Sequence, residues 1–183
     1  MDTTADERPQ PSMQENNEIA IAGRSPVHVV YGGADRFSSA TPAKFGTIAL
    51  KTLAEYAPGT VEFAAAMGLN ADNEGPPTLD PSRVYELSLE KLRSEPIEDF
   101  RIDFEDGYGF RSDDEEDGHA RSAAVELARA YLDNTITPFC GFRIKSFAEE
   151  TEFRAERTLS LFLEELLNTT AGVLPHNFVV TLP

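Results

Sequence analysis

The stretch Phe100-Arg101-Ile102-Asp103-Phe104-Glu105-Asp106-Gly107 decides how this chain is read. Its first part alternates apolar and charged residues with period two, which is the pattern of a strand. Its second part crowds three carboxylates into four residues and stops at a glycine, where a strand passes into a loop. Alternation puts Asp103 and Glu105 on one face of the sheet. Carboxylates this close raise each other's pKa unless water, a cation or an arginine compensates them. One reading is a solvated acidic loop. The other is a buried pair suited to ordering metal-bound water or moving a proton, and the flanking apolar strand residues favour it.

The chain keeps a regular beat on either side. Upstream, Val27-His28-Val29-Val30-Tyr31 is β-branched and aromatic and predicts a strand over 27–31, closed by a tight loop at Gly32-Gly33-Ala34-Asp35. Thr41-Pro42 starts a helix, with Phe45, Ile48, Ala49, Leu53 and Tyr56 at helical spacing until Pro58-Gly59. A short helix over 61–67, a loop over 70–80 and a helix from Pro81 to before Pro96 complete this connection. Downstream, the acidic run Asp113 to Asp117 suits a helix N-terminus, where carboxylates face the positive end of the macrodipole. Ala120, Ala124, Leu127, Ala128 and Tyr131 share one face of that helix. A third strand follows over 139–145. A helix over 149–167 then has Phe153, Leu159, Phe162, Leu163 and Leu166 inward, and a fourth strand covers 178–182. Strands alternating with helices imply a parallel sheet with helical crossovers. Periodicity alone leaves an open doubly wound sheet and half of a barrel both standing.

Bulk properties narrow the function. The 183 residues are 40% hydrophobic, enough for one core, but short of the ~250 residues of a complete (β/α)₈ barrel. Thirty-two acidic against 16 basic residues give a net charge of −16. A field of that sign disfavours nucleic acid and anionic membrane surfaces. The single cysteine, Cys140, rules out an internal disulfide, and residues 1–25 are polar and read as a disordered leader without a secretory h-region. No stretch reaches the ~20 apolar residues of a membrane span. These features together suggest a cytoplasmic protein.

In parallel α/β folds, sites form at the carboxyl ends of strands. The first end offers Gly32 and Gly33, either as an ordinary turn or as backbone able to approach a ligand. The second offers Asp103, Glu105 and Asp106. The third offers Arg143 and Lys145, two apart and so expected on one face, either to recognise a carboxylate or to pair with the neighbouring acids. His28, His119 and His176 lack metal-ligand spacing and read as structural, as does Cys140. Phosphate-loop, dinucleotide, nucleophile-elbow and zinc-protease motifs do not occur.

Four segments, in order, resemble citrate lyase beta-subunit-like and malyl-CoA lyase-type aldolases of the phosphoenolpyruvate/pyruvate-binding barrel superfamily. They are Val29 through Phe37 with Lys44, Ile102 through Gly107, Phe142-Arg143-Ile144-Lys145, and Val179 through Pro183. The resemblance implies the N-terminal half of a (β/α)₈ barrel over 26–183, ending after its fourth strand. It implies a Mg²⁺-dependent carbon–carbon lyase acting on a 2-oxo acid or acyl-CoA-type substrate, in a family that is commonly oligomeric. Carried over, Arg143 would neutralise a substrate oxygen or carboxylate. Asp103 and Glu105 would order metal-bound waters, and Asp106 would stand at the site's edge. Gly32, Gly33 and Lys145 would line the substrate. The family's direct metal ligands lie on later strands, so no residue of this chain is assigned as one. The sequence departs from the pattern at Gly32-Gly33, where the family has Pro-Gly, at Lys145, where it often has Asn, and in its long first connection. A non-catalytic binding or assembly module built on a half-barrel is the alternative.

Overall fold

The computed structural model describes residues 24–69 and 80–183. The expected leader, up to residue 23, and nearly all of the expected 70–80 loop lie outside the described residues. The elements run β1 (Val29–Gly33), a 3₁₀ turn (Ala34–Arg36), α1 (Thr41–Tyr56), α2 (Thr60–Ala66), α3 (Pro81–Ser94), β2 (Asp99–Asp103), α4 (Asp113–Leu132), β3 (Phe139–Arg143), α5 (Glu152–Thr169) and β4 (Phe178–Thr181).

The four strands form one parallel sheet in the order β1-β2-β3-β4. Each neighbour in sequence is therefore a neighbour in space, joined by a helical crossover. This architecture is compatible with half of a barrel. The register pairs Gly33 with Asp103, Asp103 with Arg143, and Arg143 with Thr181. One row across the sheet thus collects the carboxyl ends of all four strands.

Strand alternation sorts the sheet into two faces. Phe100, Ile102 and Phe104 join Cys140, Phe142 and Ile144 in a core with Ala120, Ala124, Leu127 and Ala128 of α4 and Phe162 and Leu166 of α5. Phe142 stacks on Phe162 at 4.0 Å between centroids, and Phe104 meets both edge-on. Each such side chain contributes roughly 1.5–3 kcal/mol when fully buried. The small residues of α4 let α5 pack closely beside it. The opposite face carries Asp99, Arg101, Asp103 and Arg143. Arg101 holds Asp99 through two bonds of 2.6 Å and donates to Thr181 of β4 at 3.3 Å.

Two expectations are corrected. β1 lies two residues later than expected, so Gly32 and Gly33 belong to the strand rather than to the loop after it. Phe153, expected inward, is 70% exposed; α5 begins only at Glu152, and Arg154, Ala155 and Thr158 turn inward in its first turns. The acidic run opens α4, capped by the Ser112 side chain, and Glu116 and Asp117 are buried. Among the described residues, no helix is long and apolar enough to cross a membrane.

Candidate active site

Arg143 ends β3 directly opposite Asp103 at the end of β2. That register alone brings a guanidinium against a carboxylate. Arg143 Nε donates to Asp103 Oδ1 at 2.8 Å and Nη2 to Oδ2 at 2.7 Å, a bidentate fork. Asp103 also accepts the amides of Glu105 at 3.0 Å and Gly107 at 2.8 Å. Burial by itself would raise the Asp103 pKa. The Arg143 fork and the two amides overcome it and hold this carboxyl below its ordinary value. The same bonds, led by Asp103, keep Arg143 firmly protonated.

The loop after β2 curls back over this pair. Arg143 Nη1 lies 2.9 Å from Glu105 Oε2 and donates to Asp106 Oδ2 at 3.3 Å. Asp103, Glu105 and Asp106 therefore do converge, on an arginine. From β1, Tyr31 places its ring 4.9 Å from the Arg143 guanidinium carbon, a cation–π contact. Tyr31 was not among the expected site residues; its place in β1, two residues before Gly33, was the available signal.

Gly33 serves the same closure. A Cβ there would lie 2.6 Å from the Gly107 carbonyl oxygen, so only glycine lets β1 reach the acidic loop. A Cβ at Gly32 would meet Phe100 at 2.7 Å, on the core side. Both glycines are accounted for by contacts within the chain.

Lys145 does not share a face with Arg143. β3 stops at Arg143, and beyond it the chain carries Lys145 towards α4. Its ammonium donates to Glu116 Oε2 at 2.6 Å and to the Phe104 carbonyl at 2.8 Å, with the Tyr108 ring 5.0 Å away. Thr158 of α5 donates to Glu116 Oε1 at 2.7 Å. Arg154 and Arg157 hold Asp117 beside it, and these bonds, Arg157's foremost, keep its carboxyl below its ordinary value. This buried network fixes the base of the loop that carries Glu105 and Asp106. A cavity of about 290 Å³ opens beside it, lined by Glu105, Asp106, Gly109, Phe110, Lys145, Ser146 and Thr151.

The remaining candidates are structural. The His119 ring takes a 2.8 Å bond with the Tyr108 hydroxyl, whose pKa is raised by burial and then by the Glu116 charge. His28 accepts the Glu98 amide at 3.3 Å, and His176 is exposed. Burial pushes the Cys140 thiol up to about 12, which leaves it inert at neutral pH.

The resemblance implies Mg²⁺, and the donors at hand can be tested against it. Both oxygens of Asp103 are saturated by Arg143 and two amides, and a guanidinium stands where Glu105 and Asp106 converge. No group of three or more His, Cys, Asp or Glu among the described residues is arranged to hold a metal ion. These residues do not fit direct Mg²⁺ ligation.

A family model matches residues 15–183, almost the whole chain. The chain belongs to DUF6986, a family described as a domain of unknown function. No curated protein and no solved structure matches this DUF6986 chain.

Proposed function

We propose that this DUF6986 chain is the N-terminal half of a (β/α)₈-barrel carbon–carbon lyase acting on a 2-oxo acid or acyl-CoA-type substrate in the cytoplasm. The observation that carries the reading is Arg143: a permanently charged guanidinium at the carboxyl end of a parallel strand, aimed by a buried bidentate carboxylate. Sites of parallel barrels gather at this end. The four ordered sequence segments support the same reading.

Breaking a carbon–carbon bond beside a carbonyl leaves its electron pair as an enolate, with negative charge on oxygen. Arg143 would stand against that charge or the substrate carboxylate. Its position is fixed before the reaction, so little reorganisation is needed as charge develops. Asp103 holds the fork in place, and Tyr31 covers one side of the guanidinium. Mg²⁺, if present, would chelate the oxo acid through ligands other than these residues, and no step here depends on it.

The test is cleavage of 2-oxo acids and acyl-CoA compounds with Mg²⁺, by the 183-residue chain and by any longer product read from the same gene. Mg²⁺-dependent cleavage of at least one of these compounds is the expected result. In an active form, Arg143→Lys should lower kcat/KM by about 10²–10³-fold, the usual cost of losing one charge-stabilising contact. Absence of cleavage of every compound by both forms would refute the lyase reading. A fully active Arg143→Lys variant would refute the role of Arg143.

A further inference from the structure

Arg143 has five N–H donors. Two go to Asp103 and a third group, Nη1, faces both Glu105 and Asp106. An arginine meant to meet an incoming anion is therefore already surrounded by the chain's own carboxylates. Those carboxylates are not equivalent. The Asp103 side chain is 1% exposed and bound by the fork and two amides. Removing it would strand a buried charge, so it stays in place. The Glu105 side chain is 27% exposed and that of Asp106 is 78% exposed. Asp106 makes the kind of exposed pair that exchanges readily with a competing anion, and Glu105, reached through a single contact to Arg143 Nη1, is held less firmly than Asp103.

We propose that Glu105 and Asp106 are an internal ligand of Arg143, occupying its outer edge until the carboxylate of a substrate displaces them. This rests on the reading of Arg143 as the substrate's anion partner. The cavity of about 290 Å³ supplies the room. Glu105 and Asp106 form part of its wall, with Phe110, Lys145, Ser146 and Thr151 around the rest. A carboxylate leaving Arg143 has this space, open to solvent, to move into. Gly109, with a φ of +77°, ends the loop in a left-handed conformation with nothing within 4 Å of where a Cβ would stand. The loop therefore ends in open space on that side. Asp103 aims the arginine throughout, while its two neighbours exclude weak anions. Selectivity follows: a ligand must offer a carboxylate able to outcompete two tethered ones, as a chelating 2-oxo acid or dicarboxylate does and chloride does not.

The experiment is calorimetric titration of the full chain with oxalate and with pyruvate. The proteins are wild type, Glu105→Gln, Asp106→Asn, the double variant, and a charge control, Asp114→Asn with Glu115→Gln, on the exposed start of α4. Circular dichroism checks folding. Each single site variant should tighten binding about threefold or more, and the double about tenfold, while the control changes it less than twofold. Adding Arg143→Gln to the double variant should abolish binding. If that form does not fold, Arg143→Lys takes its place, since it keeps the charge but loses the fork. Binding to the double variant no tighter than to wild type, with binding still lost on replacing Arg143, would overturn the internal ligand and leave the anion role of Arg143 intact. An equal gain in the control would also overturn it, as general electrostatics. Binding unchanged by loss of Arg143, or no binding to any form, would overturn both.

Discussion

Glu98 stands just before β2, with its side chain only 5% exposed, where three parts of the chain converge on its carboxylate. Lys91 of α3 pairs with it, the Val27 amide donates to it at 2.6 Å, and Arg24 lies 3.0 Å away. The Lys91 bond first, and then the Val27 amide, hold its carboxyl down to about 2. An unfolded glutamate titrates near ~4.3. The depressed group therefore adds stability that is fully present above that value and is lost as pH falls towards about 2. Glu98→Gln should lower the urea midpoint by a constant amount from neutral pH down to about 5. The gap to wild type should close below about 4.5. A gap that persists unchanged in acid would show that packing, not charge, is what Glu98 supplies. The same scale shows where sequence reading reached its limit. Asp103 and Glu105 do meet at one arginine, but β2 ends at Asp103, and the loop after it, not strand alternation, brings Glu105 there. Two-residue spacing likewise does not place Lys145 beside Arg143, because alternation holds only while a strand lasts, and β3 ends at Arg143. Glu116 was read as a helix-start charge; its burial against Lys145 and Thr158 depends on the approach of α5, which no local pattern encodes.

At the scale of elements, β4 is held to β3 at an unusually close approach. A Cβ on Gly141 would lie 1.9 Å from the Val179 carbonyl oxygen. That oxygen is backbone of the neighbouring strand, so it cannot swing aside. Gly141→Ala must push β4 away from β3 and disturb the row that ends in Arg143 and Thr181. Overpacking of this kind typically costs about 1–3 kcal/mol, and here the upper end applies because backbone must move. Urea denaturation checks it, and a loss under about 0.5 kcal/mol would show that the strands separate freely. The glycine was visible in the sequence, but only the pairing register explains it. Element order was legible throughout, because apolar runs of period two and of helical period alternate without overlap. Which helical face is buried was less so. Phe45, Ile48 and Tyr56 recur at helical spacing on α1, yet they are 47%, 61% and 74% exposed. Spacing shows that residues share a face; it does not say what the face meets.

For the molecule as a whole, two opposing terms govern association. The exposed apolar residues of α1 and α2, such as Val61 at 72%, and Met67 just after α2 at 61%, favour contact between copies. So do β1 and β4, the outer strands of the described sheet, whose outward backbone groups can template pairing. Against them stands a net charge of −16, which repels any second copy. The apolar term is insensitive to moderate salt, whereas the repulsion is screened over a Debye length of ~10 Å at 0.1 M and less above it. The buried pairs, Asp103 with Arg143 and Glu116 with Lys145, are little affected over the same range. Sedimentation velocity at neutral pH should therefore show association rising between about 0.05 M and about 0.5 M KCl at fixed protein concentration. Introducing charge on the helical face, as Ile48→Glu with Val61→Glu, should suppress that rise while leaving the urea midpoint within about 0.5 kcal/mol of wild type, because both side chains already face solvent. Suppression would assign the contact to α1 and α2; a rise untouched by these substitutions would assign it to the strand edges. Dissociation at high salt would refute the balance altogether, since copies joined by ion pairs, unlike copies joined by apolar surface, come apart when their charges are screened.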